Sequence, residues 1–464
     1  MLTYSFEANQ KEPLYEQLYH FIRQDILTGQ LHPGEKLPSK RSLAQHLGIS
    51  TITVEGAYGQ LTAEGYCYTQ PKRGFFVSSL EGIGEKKAPV LVHKAVSRPA
   101  HVHYLADFAA NSVNPADFPF HIWTKMLREV VADEAEALLN RSPSGGVTAL
   151  REAIADHLQH FRGLAASPEQ IIVGAGTEYL YSLLVKFLGR DKCFCVEEPG
   201  YSRIRQIYES NGASCALVGM DEQGIRLAEL RAKGAQVVHI SPSHHFPTGR
   251  IMPISRRYEL LGWANEQPDR YIIEDDYDSE FRLTGRPIPT MMGIDVSGKV
   301  IYMNTFSKSL TPTIRISYMV LPAELVRPFY EQLGFYSCTV SNFEQYTLAR
   351  FIREGHFEKH INRMRTHYRK RREKLLALLR KGPLAGRAEI IEHGSGLHML
   401  LRFDTRKADA SLQQAFQQAG IQLKPLQEYY SSANPDAAHT FVLNYSGVEE
   451  RVLSEAIVRI ARCL

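Results

Sequence analysis

Apolar runs that are each followed by a polar or glycine-bearing loop recur through the second part of the chain. The runs, with the first residues of their loops, are QIIVGAG, KCFCVEEP, AQVVHISP, RYIIEDDY and KVIYMNTF, and stretches of helical periodicity separate them. Such alternation is typical of a mostly parallel sheet covered by helices on both faces. Ligands of these sheets bind at the strand ends, so the loops are expected to converge on one crevice. The pattern predicts an α/β domain over residues 106–464.

The length and composition of the chain indicate a globular protein of more than one domain. At 464 residues it is too long for a single core, and its hydrophobic and charged fractions of 44% and 22% exclude a disordered or fibrous protein. No segment is apolar enough to span a bilayer and the start MLTYSFEANQKEPLY lacks an export signal, so we expect a cytoplasmic protein without a membrane partner. A formal net charge of +4 is too small to indicate nucleic-acid binding by itself.

The six cysteines are scattered, and only Cys193 and Cys195 lie close together. Their C-x-C spacing is compatible with a metal site. However, KCFCVEEP has the composition of a buried strand, on which both thiols share one face without a second ligand pair nearby in sequence. We therefore predict structural, reduced cysteines and no metal site.

The first 79 residues have the pattern of three helices. Apolar residues recur at helical spacing from Pro13 to Gly29, and a second helix is predicted from Ser39 to Leu47, ending at Gly48. Ser50 is suited to cap a third helix, whose apolar residues would share one side: Val54, Ala57, Tyr58 and Leu61. The second and third helices are separated by a tight turn, as in a helix-turn-helix unit.

The segment YCYTQPKRGFFVSS follows the third helix and predicts a hairpin with Lys72 and Arg73 at its tip. In helix-turn-helix geometry the first residues of the recognition helix meet the base edges, and nearby basic groups hold phosphates. The candidate DNA contacts are Lys36, Ser39, Lys40, Arg41, Ser50, Thr51, Thr53, Lys72 and Arg73. A solvated surface on a small helical domain is the alternative, because acidic and basic residues nearly balance there.

The stretch LPSKRSLAQHLGIS, with AYGQLTAEGYCYTQPKRGFFV after it, resembles the GntR-type winged-helix pattern. That pattern often has Arg directly after the serine that opens the recognition helix, where this chain has Thr51, so no base preference is carried over. We predict a winged helix-turn-helix DNA-binding domain over residues 1–79. A tether over residues 80–105 follows, where Gly, Pro, Lys and His occur without periodicity.

The loops GAGTEYL, EPGYSRIR, SPSHHFPTG, EDDYDSEF and FSKSLTPTIR, in this order, resemble fold-type-I pyridoxal-phosphate (PLP) proteins, and specifically the MocR subfamily of GntR-type regulators. The resemblance implies an aminotransferase-like domain in which Lys308 forms an imine with the cofactor aldehyde. Asp275 matches the carboxylate beside the pyridine nitrogen, with Glu274 and Asp276 as adjacent alternatives. Tyr277 matches the donor to the ring oxygen, and Tyr201 matches the aromatic residue that stacks on the ring.

The same resemblance implies a phosphate site at the start of a helix, formed by Gly176, Thr177, Ser307 and Arg315. Relatives commonly have a neutral residue such as Gln where this chain has Glu178, so we expect only the backbone of Glu178 to contribute. The familiar Asn before Pro-Thr-Gly is replaced by Phe246, and His245 is expected to take over a polar contact.

An effector site is implied less directly. Aminotransferase-like domains usually hold a substrate carboxylate with a C-terminal arginine, and this chain has Val442 there. Arg203 matches a carboxylate-binding arginine of related regulators, and Arg205 is a weaker neighbouring candidate. Both arginines are also compatible with a solvated helix.

The remaining sequence is compatible with the small subdomain of that fold. The basic run from Ser341 to Leu379 predicts amphipathic helices with solvated charges. The runs GLHMLLRF and TFVLNYS predict strands, and VEERVLSEAIVRIA predicts a final helix.

These observations predict a regulator that binds double-stranded operator DNA. It would sense a small amine or amino acid through the cofactor, or sense PLP itself. Its relatives form head-to-tail, domain-swapped homodimers. A working aminotransferase with an accessory DNA-binding domain is the alternative, since Lys308, Asp275 and Tyr277 would be the same in both proteins.

Overall fold

The computed structural model describes residues 2–6, 12–79, 103–110, 114–283, 288–392, 394 and 396–464. The chain forms two compact units, Met1–Ala100 and His101–Leu464. The predicted tether falls largely on residues 80–102, outside the described residues. Its last residue, Leu105, donates its backbone N–H to the carbonyl of Gly420 over 2.8 Å within the larger unit.

The N-terminal unit contains the predicted helices and hairpin. These elements are α1 (Leu14–Leu27), α2 (Lys40–Leu47), α3 (Thr51–Ala63), β1 (Cys67–Gln70) and β2 (Gly74–Val77). The oxygen of Ser39 accepts the N–H of Ser42 at the start of α2, and that of Ser50 accepts the N–H of Thr53 at the start of α3. Gly48 ends α2 in the left-handed conformation with φ of 66°. The local signals therefore set these boundaries.

One hydrophobic core holds this unit together. The predicted inward side of α3 is fully buried with residues of α1, α2 and β2: Leu18, Ile22, Leu43, Val54, Ala57, Tyr58, Leu61 and Val77. The hydroxyl of Tyr58 donates to the carbonyl of Pro38 over 2.9 Å, which satisfies its one polar group. Because each buried aliphatic side chain contributes about 1.5–3 kcal/mol, this core fixes the orientation of α3.

An eight-stranded sheet forms the centre of the larger unit. Strand β3 (Ala106–Asp107) precedes this sheet in the chain and is not part of it. The strands of the sheet are β4 (Ile171–Gly174), β5 (Cys193–Glu198), β6 (Ser214–Asp221), β7 (Gly224–Ile225), β8 (Val237–Ile240), β9 (Tyr271–Asp275), β10 (Val300–Thr305) and β11 (Ser317–Val320). Their order is β4-β11-β10-β9-β8-β5-β6-β7. Strands β6, β5, β8, β9 and β10 are parallel, whereas β11 runs antiparallel to both of its neighbours. The five apolar runs are thus confirmed as strands of a mostly parallel sheet.

Helices cover this sheet on both faces. The helices between Phe120 and Leu333 are α4 (Phe120–Asp133), α5 (Ala135–Leu139), α6 (Thr148–Arg162), α7 (Thr177–Leu188), α8 (Ser202–Ser210), α9 (Leu227–Ala232), α10 (Ile254–Asn265), α11 (Met291–Ile294), α12 (Phe306–Ser309) and α13 (Ala323–Leu333). In β10, Tyr302 packs into one core while Ile301 and Met303 pack into the other. Burial on both faces explains why the strand has an uninterrupted apolar sequence.

The C-terminal part adds α14 (Asn342–Arg353), α15 (His356–Lys381), a four-stranded sheet and two helices. The strands of this part are β12 (Ala388–Ile391), β13 (His398–Phe403), β14 (Ile421–Gln422), β15 (Lys424–Pro425) and β16 (Thr440–Asn444), of which all but β14 form the four-stranded sheet, and the helices are α16 (Asp409–Gln418) and α17 (Leu453–Cys463). The sheet order is β12-β13-β16-β15, and β14 pairs with β3. The predicted strands and final helix are confirmed.

Some cations of the basic helices depart from the expectation of solvated charges, as Arg371 and Arg372 show. Arg371 is buried and donates to the carbonyls of Tyr445 and Ser446, and Arg372 donates to both oxygens of Glu392. These cations anchor α15 instead of facing solvent. Within the described ranges, no helix is long and apolar enough to cross a membrane.

Candidate functional site

The loops that carry the predicted cofactor residues lie at one edge of the large sheet. Strands β5, β8, β9 and β10 are parallel, so their carboxyl ends meet there. Strand β4 runs in the same direction as these strands, because it pairs antiparallel with β11, which is itself antiparallel to β10. The sequence signals after all five strands therefore converge.

Lys308 lies in α12, directly after β10. The side-chain oxygen of Thr305 accepts the N–H of Ser307 over 3.1 Å and so caps this short helix. Burial lowers the pKa of the Lys308 amine to about 8, and the charge of Asp278 opposes the shift. A larger share of this amine is therefore neutral near pH 7 than of an exposed lysine, and the neutral form is the nucleophile.

Asp275, the residue predicted to lie beside the pyridine nitrogen, is a buried carboxylate. Its Oδ2 accepts the Tyr181 hydroxyl over 2.6 Å and lies 3.3 Å from Nε2 of His239. Its Oδ1 is buried without a hydrogen-bond partner among the described residues. A protonated ring nitrogen is a donor that would satisfy this oxygen, so the residues present fit PLP on this point.

The two neighbouring carboxylates have other partners. Glu274 accepts the N–H groups of Met291 and Met292 over 2.8 and 3.0 Å at the start of α11. Asp276 forms a buried ion pair with Arg162 at 2.8 Å and accepts the Tyr302 hydroxyl, although its Oδ1 has no hydrogen-bond partner in the described part of the chain either. Asp275 is thus the member of this acidic triplet that carries neither a helix start nor an ion pair with arginine.

Three buried residues that sequence reasoning missed position Asp275. The hydroxyl of Tyr208 lies 2.7 Å from Nδ1 of His239, and His239 and Tyr181 both contact the carboxylate. Burial, and then Asp275, raise the pKa of Tyr181 well above its usual value, so it stays a donor. The one available signal was His239 itself, a polar residue inside the apolar strand VVHI.

The hydroxyl of Tyr277 contacts His244, the neighbour of the predicted cofactor residue His245. The Tyr277 hydroxyl lies 3.2 Å from His244 Nδ1, which is also 2.8 Å from Asp278 Oδ2. His245, our candidate for a polar contact with the cofactor, lies with Nδ1 2.8 Å from Thr248 Oγ1 and Nε2 3.6 Å from Glu197. Burial lowers the pKa of His245 to about 3, so this ring is neutral.

Three of the four predicted phosphate-binding residues lie together at the start of α7: Gly176, Thr177 and Arg315. Gly176 has φ of 91°, a backbone conformation that favours glycine, and a Cβ there would lie 2.4 Å from Nη2 of Arg315 and displace that side chain. Thr177 begins α7, whose first N–H groups have no partners within the helix. Backbone donors and one cation therefore lie where an anion would bind.

The side chain of Glu178 also contacts this group. The sequence predicts a contribution from its backbone alone, but its Oε2 lies 3.2 Å from Nη2 of Arg315 and its Oε1 lies 4.0 Å from Nη1 of Arg203. All three side chains are about half exposed or more. Arg315 is thus already paired with a carboxylate.

The proposed effector residue lies beside the aromatic residue expected to stack on the ring. Tyr201 precedes α8, and the guanidinium carbon of Arg203 lies 5.8 Å from its ring centroid. Arg205 instead pairs with Glu209 along α8 at 2.7 Å. Val442 is buried in an apolar cluster of β13 and β16 against which Phe246 packs.

Most of the candidate DNA-binding residues lie at the starts of α2 and α3, and the others lie in the hairpin turn or pair with the hairpin. Lys36 forms an isolated bridge with Phe76 of β2, and Lys40 Nζ lies 2.5 Å from Glu55 of α3 and 5.8 Å from the Phe75 ring centroid. Arg41, Lys72 and Arg73 are exposed, the last two in the hairpin turn.

The hydroxyl candidates divide into two kinds. Ser39 and Ser50 cap their own helices, and Thr53 is linked to Ser50 through both its N–H and its hydroxyl. Thr51 is exposed at the first position of α3.

Comparison with known proteins agrees with both units. Residues 14–77 match the family "Bacterial regulatory proteins, gntR family", and residues 107–460 match "Aminotransferase class I and II". The chain is 39% identical to the uncharacterized HTH-type transcriptional regulator YhdI of Bacillus subtilis, covering 97% of this chain and 95% of that protein. It is 32% identical to the probable rhizopine catabolism regulatory protein MocR of Rhizobium meliloti, covering 96% and 92%.

The larger unit also resembles solved aminotransferases. The structure of kynurenine aminotransferase from Pyrococcus horikoshii, in complex with PMP, matches with a TM-score of 0.67 and 27% identity over 77% of this chain and 90% of that one. The chain combines a helix-turn-helix unit with an aminotransferase fold, and it is similar over nearly its full length to regulators of the same arrangement. It is therefore a transcription regulator of the MocR subfamily of the GntR family.

Proposed function

We propose that this regulator holds PLP at the edge of its large sheet and uses the occupancy of that site to control binding of its N-terminal unit to operator DNA in the cytoplasm. The observation that carries the proposal is the position of two buried groups: Lys308, whose amine has a lowered pKa, follows β10, and Asp275, whose Oδ1 has no hydrogen-bond partner among the described residues, ends β9. Both lie at the carboxyl ends of neighbouring parallel strands.

The chain's own residues would hold the cofactor at its three ends. Lys308 provides the amine, Asp275 provides the acceptor opposite the ring nitrogen, and the start of α7 with Ser307 and Arg315 provides donors for the phosphate. Burial and the nearby acidic groups raise the pKa of Tyr277 well above its usual value, so its hydroxyl stays protonated. It would donate a hydrogen bond to the ring oxygen of the cofactor. PLP supplies an electrophilic aldehyde and an electron sink when bound.

Arg203 is the proposed anchor for an acidic effector. It lies on the ring of Tyr201, whereas the position expected for a carboxylate-binding arginine is filled by the buried Val442. Without a cation at the position of Val442, Arg203 alone would bind the carboxylate of an amino acid, so amino-acid binding should be weaker than in an aminotransferase. A sensor of PLP alone would not need Arg203. These two sensing modes are separable by experiment.

We also propose a head-to-tail, domain-swapped homodimer. Aromatic side chains are exposed between α13 and α14 and at the start of α14: Phe335, Tyr336 and Phe343. Phe343 and Arg315 line the same open cavity of about 480 Å³. Exposed apolar groups around a cavity are typical of a protein interface.

A working aminotransferase is the second candidate, because such an enzyme would use the same three residues, Lys308, Asp275 and Tyr277. The apolar surroundings of Val442 disfavour it, since a substrate carboxylate would lack its usual cation there.

The test is a titration of DNA binding by the full-length protein, without cofactor, with PLP, and with PLP plus single amines or amino acids. A change with PLP alone supports the PLP sensor, and a change that needs an amine supports the effector sensor. A DNA affinity that does not change with any of these additions refutes the proposed control of DNA binding. Sustained turnover with a keto acid would place the protein among enzymes.

A further inference from the structure

Ile52 is the most exposed large apolar side chain in the described part of the N-terminal unit. It is 80% exposed, whereas the others on the surface, such as Leu14 at 43% and Tyr68 at 40%, are half covered or more. It is the second residue of α3, the helix that the hairpin and α2 surround.

Folding of the unit does not account for an isoleucine at this position. The core side of α3 is formed by Val54, Ala57, Tyr58 and Leu61, and Ile52 contributes little buried area to it. A β-branched residue is also a weaker helix former than alanine or a straight-chain polar residue. An exposed polar side chain would therefore serve the helix at least as well.

The surroundings of Ile52 are those of a DNA-facing helix start. Ser50 and Thr51 precede it, and the Lys40–Glu55 ion pair lies one turn further along α3. On the same side of the helix, a methyl group added at Gly59 would meet no atom within 4 Å, so this face is open in the described part of the unit. The first residues of a recognition helix are those that meet base edges in the major groove.

The major groove presents one apolar group, the C5-methyl of thymine. We propose that Ile52 is a specificity-determining residue that packs on a thymine C5-methyl group in the operator. The inference rests on the proposed binding of DNA through α3. In a chain that has Thr51 where many GntR-type proteins have Arg, an apolar contact by Ile52 would replace part of the polar base recognition.

Uracil is the probe for this contact, because it differs from thymine in DNA only by the missing methyl group and keeps the same base pair. A fragment selected from random DNA by the full-length protein is re-synthesised with each thymine replaced singly by uracil. Loss of one buried methyl group is expected to weaken wild-type binding about fourfold at a particular thymine. Other thymines are expected to show no effect.

The matched variants assign the effect to Ile52. Ile52→Ala should bind the thymine fragment about as weakly as wild type binds the uracil fragment, and should lose its sensitivity to uracil at that position. Ile52→Val should keep part of this sensitivity. Leu14→Ala, which also shortens an exposed aliphatic side chain, should keep the wild-type uracil profile.

The outcomes separate this inference from the proposed function. A wild-type protein that selects no DNA fragment overturns both. A protein that binds its fragment, yet tolerates uracil at every thymine, overturns only the role of Ile52. The same holds if Ile52→Ala, with an unchanged melting temperature, retains the wild-type uracil sensitivity.

Discussion

Glu178 Oε2 lies 3.2 Å from Arg315 Nη2, so the cation expected to bind the cofactor phosphate is paired with a carboxylate of the same chain. The phosphate must displace this carboxylate or bind beside it. Because both side chains are about half exposed, solvent screens the pair and its strength is modest.

Replacing the carboxylate should therefore improve cofactor binding. We expect Glu178→Gln to tighten PLP binding about two- to fivefold at low ionic strength, with a smaller gain at high salt. Absorbance titration at two salt concentrations measures this. Glu209→Gln, which breaks the similarly exposed pair with Arg205, is the control and should leave PLP affinity unchanged. Weaker binding by Glu178→Gln would show that the carboxylate supports the site.

The second prediction concerns the pH dependence of Lys308. Its amine has a pKa of about 8, and only the neutral amine attacks an aldehyde. The rate of covalent capture of PLP should rise about tenfold per pH unit below pH 8 and level off above it. Stopped-flow absorbance follows the visible band of the lysine-bound cofactor, which Lys308→Ala should lack. A rate that keeps rising to about pH 10 would contradict the lowered pKa.

The same shift has a defined sign for folding stability. The folded-state pKa of about 8 is below the ordinary value of 10.5, so the unfolded chain binds more protons between these values and stability rises with pH across that window. Lys308→Met should gain stability over the wild type below pH 8, and the gain should shrink as pH approaches 10.5. Thermal melts of the protein without PLP, over this range, test the sign.

The acidic triplet provides the fourth prediction. Asp276→Asn leaves Arg162 without its buried counter-ion and should destabilise the protein by about 3 kcal/mol. Asp275→Asn keeps an acceptor for Tyr181 and should cost about 1 kcal/mol or less, but should weaken PLP binding and shift the absorption of the bound cofactor. Urea unfolding and PLP titration of both variants separate the roles. Equal effects on PLP binding would reject Asp275 as the ring-nitrogen partner.

This triplet also shows how far the sequence alone leads. The run RYIIEDDY predicts a strand that ends in carboxylates, and the structure confirms the strand. The choice among Glu274, Asp275 and Asp276 depends on residues distant in sequence, such as Arg162 on α6 and Met291 on α11. Such pairings leave no local pattern, because tertiary folding alone brings the partners together.

In the N-terminal unit, local sequence signals are sufficient to predict where the helices begin and end. Ser39, Gly48 and Ser50 specify helix ends through their own backbone contacts, so their positions in sequence predict the elements directly. The Lys40–Glu55 pair has no such signal, since it joins two helices across a turn. Likewise, the contact of Glu178 with Arg315 joins residues 137 positions apart.

The Lys40–Glu55 pair leads to the last prediction, which concerns DNA binding. At 2.5 Å from Glu55, Lys40 is partly neutralised before it meets a phosphate, whereas Arg41 beside it is exposed. Arg41→Ala should weaken binding to all DNA sequences and reduce the slope of log affinity against log salt by about 1. Glu55→Gln should act in the opposite direction, because it releases Lys40 for phosphate contact and steepens the slope. Arg327→Ala, which removes an exposed charge of the larger unit, is the control for net charge. Fluorescence anisotropy at several salt concentrations gives these slopes, and an unchanged slope for Arg41→Ala would remove α2 from the phosphate contacts.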